Sequence, residues 1–384
     1  MKIGVPKEIV PQERRVAIIP ESIKRIVKKG FEVSVEAGAG EFALIPDGEY
    51  EKAGAKIVPS ADALYGGSDV ILKVQKPVLN SRLNKDEVEM MKEGAILIAL
   101  LHPILNPELV KKIASRNITS FSMDAIPRTT LAQSMDVLSS MATVAGYKAV
   151  LTAANAIGKF FPMFMTAAGT IAPAKVLIIG AGVAGLQAIA TAKRLGAVVE
   201  VFDTRPATKE QVESLGVKFI EMEVAHEEAQ DAGGYAKQLS EEFYRKEKEL
   251  LRKHILAADV VITTAQIYGK KAPVLITEEM VREMKPGSCI VDLAVEQGGN
   301  CELSEPGKEV VKHGVIINGF LNIPSSMPVH ASQMYSRNIE KFLFHLTGDK
   351  GFKLDMADEI TQGSIITHKG EVLHGKVKEA LATK

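Results

Sequence analysis

The sequence predicts an α/β protein of two doubly wound, Rossmann-like parallel-sheet domains joined by a long helix. Three observations predict it. Short apolar runs alternate with amphipathic stretches through residue 125, and the same alternation resumes after residue 174. Between them lies "MATVAGYKAVLTAANAIGKF", a small-residue run that reads as a helix from about residue 134 to 158. Alternation of this kind means parallel strands joined by right-handed crossovers, with helices covering the sheet.

In the first half, "KIGVP", "FEVSVEAG", "AKIVP", "DVILKV", "AILIAL" and "ITSFSM" read as strands. "PESIKRIVKKG", "DGEYEKAG" and "PELVKKIASR" read as amphipathic helices, two of them ending on glycine. In the second half the strands are "KVLIIGAG", "VVEVFD", "VKFIEM", "DVVITTA", "SCIVDLA" and "GVIING". Helices are expected at "VAGLQAIATAKRLG", near 237–257, at "TEEMVREMKPG" and at "PGKEVVKHG". A further helix, "QMYSRNIEKFLFHL", leads to the tail 348–384, where "SIITHKGEVL" reads as a hairpin. So small a tail packs on an existing domain more readily than it folds alone. Residues 1–140 with 321–384 are therefore expected to form the first domain, and 141–320 a second Rossmann-like domain inserted in it.

Composition narrows the function. The 384 residues are 46% apolar, ample for two cores, and 47 basic residues balance 47 acidic ones. No net field exists to attract nucleic acid or an anionic membrane surface. Two cysteines, Cys289 and Cys301, provide neither a disulfide framework nor zinc spacing, and the eight histidines show no ligand pairing. The N-terminus reads as a strand followed by charge, not as a signal peptide. "FFPMFMTAAGTIAPA" is uncharged but holds two prolines and a glycine. A membrane helix needs roughly 20 apolar residues. The expectation is a chain without direct membrane insertion, cytoplasmic in character.

The strongest motif is "KVLIIGAGVAGLQAIATAKRLGAVVEVFDTRPA". Gly180, Gly182 and Gly185 follow a strand, open a helix, and precede a second strand ending in Asp203. Gly180 permits a tight turn, Gly182 lets a pyrophosphate approach the backbone, and Gly185 permits close helix–strand packing. The helix N-terminus, through Ala181, Val183 and Ala184, offers N–H groups and positive partial charge to phosphate. Asp203 suits a ribose diol and repels a 2′-phosphate, which favours NAD over NADP. Arg205, just beyond Thr204, is of a type that accommodates that phosphate, and it is read as lying at the surface.

Three weaker signals remain. "HEEAQDAGGYAKQLSEEFYRKEKEL" (226–250), with Gly233, Gly234 and Tyr235, is either a lid or a solvated excursion. Asp292 and Glu296 in "VDLAVEQGGN" sit at a strand's carboxyl end, where ligands bind in open α/β sheets, or simply face water. "PRTTLAQSMDVLSS" (127–140) is either a polar loop before a capped helix or a device that grips the reactive end of a cofactor.

"GVPKEIVPQERRVAIIPESI", "EAGAG", "GAGVAG" and "MKPGSCIVDLAVEQGG" together resemble the superfamily of alanine dehydrogenases and the NAD-binding component of proton-translocating transhydrogenase. The resemblance covers essentially the whole chain. Alanine dehydrogenases use an arginine, a lysine and a histidine in the first domain. Arg15 and His102 match two of these, but Gln75 occupies the lysine position, with Lys73 and Lys76 close by. Glutamine cannot transfer a proton at neutral pH. The 127–140 stretch, "TAAGTIAPAKVLIIGAGVAGLQAIATAKRLGAVV", "ATKEQVESLG" and "AGGYAKQLSEEF" are similar to transhydrogenase.

That resemblance implies that Arg128, Gln133, Asp136 and Ser139 contact the nicotinamide carboxamide and its ribose. Thr129, Ser134, Met135, Gly234 and Gln266 are implied as further cofactor contacts, and Tyr235 as the tip of a mobile lid. It also implies NAD(H) on this chain, NADP(H) on a partner subunit, and membrane-spanning subunits that couple hydride transfer to proton translocation. A homodimer on the cytoplasmic face of the inner membrane follows from the same source. Hydride transfer between two nicotinamides needs no acid or base, only C4 held about 3–3.5 Å from C4 with water excluded, so Gln75 fits that chemistry. An amino-acid dehydrogenase and a non-catalytic NAD-binding module stay open as alternatives.

Overall fold

Both halves of the chain build a parallel sheet in the strand order 3-2-1-4-5-6; the first is completed at one edge by an antiparallel-paired hairpin and the second by one antiparallel strand. The computed structural model describes residues 1–221, 241–266, 271–348 and 351–382. They form two compact units, Met1–Met141 with Pro324–Lys384, and Ala142–Ile323.

The first unit opens with β1 (Lys2–Val5), α1 (Pro20–Lys28), β2 (Glu32–Glu36), α2 (Asp47–Lys52), β3 (Lys56–Val58), α3 (Ala61–Gly67) and β4 (Val70–Leu72). Local chemistry fixes the helices. Proline opens α1, Glu21 lies in its first turn, Arg25 and Lys28 in its last, and Ser22, Ile23 and Ile26 are buried. Ser60 caps α3, a helix that the hydrophobic pattern does not mark, by accepting from Ala63 N–H at 3.4 Å. A small hairpin, β5 (Leu79–Asn80) and β6 (Lys85–Asp86), and the single turn α4 (Glu87–Met90) lead to β7 (Ile96–Ala99), α5 (Pro107–Ser115) and β8 (Thr119–Ser122). The apolar helix α6 (Val137–Ala156) follows.

The second unit continues with an antiparallel hairpin, β9 (Phe164–Thr166) and β10 (Gly169–Ile171). Then come β11 (Lys175–Ile179), α7 (Val183–Arg194), β12 (Val198–Phe202), α8 (Thr208–Ser214), β13 (Lys218–Phe219), α9 (Glu241–Ala257) and β14 (Val260–Thr263). After α10 (Glu278–Glu283) and β15 (Cys289–Asp292), β16 (Glu309–Lys312) and β17 (Val315–Asn318) close the sheet. Here one sequence expectation fails: "PGKEVVKHG" is not a helix. Residues 309–312 pair antiparallel with β17, Lys312 opposite Val315, around a two-residue turn. His313 (φ 51°) and Gly314 (φ 78°) supply the two positive φ angles that a tight hairpin turn requires, and the adjacent β-branched valines favour strand.

The chain returns to the first unit through α11 (Pro328–His345), β18 (Thr347–Gly348) and β19 (Gly351–Phe352), α12 (Glu359–Ser364), β20 (Ile365–His368), β21 (Glu371–Val372) and α13 (Gly375–Ala382). β20 joins β8 antiparallel, so the tail hairpin extends the first sheet to the order β21-β20-β8-β7-β4-β1-β2-β3. The second sheet runs β13-β12-β11-β14-β15-β17-β16.

Among the described residues α6 alone is long and apolar enough, by length and composition, to cross a membrane. The sequence reading, centred on the proline-broken stretch after it, named no such segment. Ala149, Val150 and Ala153 of α6 pack in a core with Val176, Ile178 and Ala188 of the second sheet and its helix. Small residues allow that packing. Gly146 approaches α7 so closely that an added Cβ would lie 2.0 Å from the Ala184 carbonyl oxygen.

Candidate functional site

At the carboxyl end of β11 the chain turns at Gly180, whose φ of 99° suits glycine. A Cβ there would stand 2.4 Å from Thr264 Oγ1, and one on Gly185 only 1.8 Å from the Gly180 carbonyl oxygen. Thr264 Oγ1 donates to that same carbonyl at 3.0 Å, tying the turn to the end of β14. Both glycines are therefore demanded by the fold itself. Gly182 is different. It precedes α7 with φ −74°, a conformation open to any residue. The nearest atom to an added Cβ is Arg205 Nη2, at 3.9 Å. The fold leaves space beside Gly182 and does not fill it.

Asp203, buried at the end of β12, closes this turn by accepting from Ala181 N–H at 2.6 Å. Arg205 corrects the sequence reading. It does not project into solvent; its side chain is 16% exposed and forks onto Asp203, Nε to Oδ1 at 2.9 Å and Nη2 to Oδ2 at 2.7 Å. The Asp203 hydrogen bonds raise the Arg205 pKa further, against burial. Thr204 is half-buried between them and Val183 is exposed at the start of α7.

A further loop forms the neighbouring wall. Gln266 Nε2 donates to Leu293 O at 3.0 Å, and Gln297 Nε2 donates to Gln266 Oε1 at 3.3 Å. Asn300, which the sequence reading did not single out, accepts from Ala265 N–H and donates to Ala265 O. Asp292 is fully buried. Its carboxylate accepts from Thr263, Ala294, Asn300, Cys301 and Ser304, so it anchors this loop and does not face a cleft. Glu296 holds Asn322 N–H at 2.6 Å. Cys289 and Cys301 are free and buried, and burial pushes their thiols up to about 12 and about 11.

In the first unit, the 127–140 stretch is an irregular loop ending in a helical turn at Gln133–Met135. Arg128, Gln133 and Ser134 are exposed, Thr129 and Asp136 half-buried, and Met135 buried. Asp136 accepts from both the backbone and the hydroxyl of Ser139 at the start of α6. Asn338 of α11 donates to Ser134 O at 2.9 Å and secures the loop. Tyr235, Gly233 and Gly234 lie outside the described residues.

The residues matched to alanine dehydrogenase are occupied differently. Arg15 is buried and forks onto Glu13, at 2.8 and 2.6 Å, while Gln75 Nε2 donates to Glu13 Oε2 at 2.8 Å. His102 adopts φ 46°, with Nδ1 3.6 Å from Asp124 Oδ2. Lys73 is fully buried between Glu87 at 3.0 Å and Glu8 at 3.3 Å, and Lys76 is bonded to Asn106. Burial lowers the Lys73 pKa, yet the two carboxylates more than reverse this and the net shift is upward. Burial, opposed by Lys73, pushes the Glu8 carboxyl up to about 7. The only sequence signal for this cluster is a lysine inside an otherwise apolar strand.

Two halves of one known family match the chain: the alanine dehydrogenase/PNT N-terminal domain over residues 4–145 and the C-terminal domain over 149–375. The chain belongs to the alanine dehydrogenase/PNT family. The first-part polypeptide of the NAD(P) transhydrogenase alpha subunit of Rhodospirillum rubrum is 52% identical over 377 residues, covering 97% of this chain and 98% of that one. The solved transhydrogenase structure from Sinorhizobium meliloti superimposes with a TM-score of 0.84 at 44% identity, covering 98% of this chain and 99% of that one. An L-alanine dehydrogenase structure gives a TM-score of 0.83 at 26% identity, covering 100% and 99%. Alanine dehydrogenase/PNT members on both sides thus share the fold, and sequence identity is higher on the transhydrogenase side.

Proposed function

We propose that this chain is the NAD(H)-binding component of a proton-translocating NAD(P) transhydrogenase, passing hydride between NAD(H) and an NADP(H) carried by a partner subunit. The observation that carries the reading is Gly182. Nothing in the fold requires glycine there, and a side chain would stand where a dinucleotide must meet the N–H groups of α7. Asp203, at the end of the next strand, suits a ribose diol. The nicotinamide supplies the hydride chemistry when bound.

The chain's own task is to bind, orient and exclude water. Arg128, Gln133, Asp136 and Ser139 are assigned to holding the nicotinamide, supported by their likeness to the transhydrogenase segment. Gly180, Gly182, Gly185 and Asp203 are assigned to the pyrophosphate and adenosine. No proton relay is needed for carbon-to-carbon transfer. Gln75, donating to Glu13, agrees with this. It weighs against an amino-acid dehydrogenase, which needs an ionisable group at that position. The membrane-spanning partners couple the transfer to proton flow, and the chain works as a homodimer on the cytoplasmic face of the inner membrane.

The test is hydride transfer from NADH to an NADP analogue, measured with and without the partner subunits. Transfer that requires the partners supports the reading. A chain that binds NADH but adds nothing to the partners' activity is a binding module, and the proposal fails.

A further inference from the structure

We propose that Arg205 is a gate over the adenosine-ribose subsite, one that NAD(H) must displace to enter. The inference rests on the NAD(H) reading above and goes beyond it. A carboxylate has about four acceptor positions. Those of Asp203 are all in use: Oδ1 accepts from Arg205 N at 2.8 Å and Nε at 2.9 Å, and Oδ2 from Ala181 N at 2.6 Å and Arg205 Nη2 at 2.7 Å. Two of the four donors come from the Arg205 side chain. A ribose diol needs two acceptor positions on the same carboxylate, and those two are the ones it can win.

The Ala181 and Arg205 backbone donors are fixed by the turn and by α8, where the Arg205 carbonyl holds Thr208 at 3.1 and 2.8 Å. The guanidinium, on a flexible stem, is the group that moves. Its Nη2 also lies nearest to the open side of Gly182, so one cation covers both the ribose carboxylate and the edge of the phosphate cradle. Two consequences follow. Apparent NAD(H) affinity is reduced by the fraction of molecules with the gate closed. The displaced guanidinium also remains beside the ribose, where it offsets part of the repulsion between Asp203 and a 2′-phosphate. Arg205 therefore weakens binding of NAD(H) and narrows the preference against NADP(H).

Calorimetric titration of the full chain with NADH and with NADPH tests this in wild type, Arg205→Ala and Arg205→Lys. Arg205→Ala should bind NADH roughly three-fold tighter or more and NADPH more weakly, so the preference widens. Arg205→Lys keeps the charge but loses the planar fork, and should fall between in NADH affinity while retaining NADPH binding. Both variants keep the backbone contacts; Arg205→Ala leaves the buried Asp203 carboxylate without its cation and should melt below wild type, so the titrations are run well below its melting temperature. Unchanged or weaker NADH binding by Arg205→Ala overturns the gate while the NAD(H) reading stands. A wild type that binds neither dinucleotide removes the reading, and the gate with it.

Discussion

Asp136 accepts two hydrogen bonds from Ser139, from its backbone N–H at 2.9 Å and its hydroxyl at 2.6 Å. The pair caps α6 and satisfies one of its first donors. Asp136→Ala should therefore cost about 1 kcal/mol of stability. Ser139→Ala, which keeps the backbone bond, should cost less, and the double variant no more than Asp136→Ala alone. Chemical denaturation checks this; fully additive losses would show that the two side chains do not act as one cap.

A second prediction concerns the cluster around Glu13. The purified chain supplied with NADH, pyruvate and ammonia should show no turnover. Gln75 carries no titrating proton, and the Arg15 fork is already engaged by the carboxylate that Gln75 also contacts. Steady loss of NADH absorbance would contradict it.

Lys73 offers a pH test. The Glu8 carboxyl is raised from 4.5 to about 7 in the folded protein, chiefly by burial. A raised carboxyl pKa means that the folded state holds the proton more tightly. Its stabilising contribution is complete below about pH 4.5 and is lost as pH rises through about 7. Lys73→Met leaves Glu8 and Glu87 buried without their shared cation, and should cost about 3–5 kcal/mol at pH 8. At pH 5 the loss should be clearly smaller, because a protonated Glu8 needs no counter-charge. Melting curves at the two pH values decide it; an equal loss at both would refute the coupling.

The hairpin formed by β9 and β10 addresses self-association. Phe160, Met163 and Met165 are 54%, 59% and 84% exposed on and beside it. An isolated two-stranded ribbon is marginal in water, so this one is expected to be covered by a second copy of the chain. If the proposed homodimer is built on this hairpin, Met165→Asp with Phe164→Asp should lower the mass seen by sedimentation from that of two chains towards that of one. An unchanged mass would refute a role for this hairpin in self-association.

Much of this architecture is legible in the sequence because strand and helix periods alternate so regularly, and because the glycines of the β11–α7 turn stand in full context. The errors have local causes. Residues 309–312 contain too few positions for a period to emerge, and the turn at His313 decides their state through backbone angles that no hydrophobic pattern encodes. Arg205 could be placed near Asp203 by spacing, but its fork onto that carboxylate depends on how α8 directs the chain. The Glu8–Lys73–Glu87 cluster joins residues far apart in sequence, brought together only when β1 and β4 pair. Asp136 shows why the 127–140 stretch carries two readings: its carboxylate caps a helix, while the exposed Arg128 and Gln133 of the same stretch are of the type that grips a ligand.

Gly182 and Gly185 provide the sharpest separation of fold from function, because the fold requires only one of them. At Gly185 a methyl group would lie 1.8 Å from the Gly180 carbonyl oxygen, so Gly185→Ala must displace α7 from β11. Overpacking of this kind costs about 1–3 kcal/mol, and the melting temperature should fall along with NADH binding. At Gly182 the backbone is ordinary, and the nearest atom to an added methyl is 3.9 Å away. Gly182→Ala should melt at or slightly above the wild-type temperature, since alanine has less entropy to lose on folding. NADH affinity should nevertheless drop at least ten-fold, because the methyl group occupies the space that the pyrophosphate needs. Calorimetric titration and melting of the same two preparations provide the comparison. If Gly182→Ala binds NADH as wild type does, the space beside Gly182 is not a dinucleotide cradle, and the assignment of this turn to the cofactor is wrong.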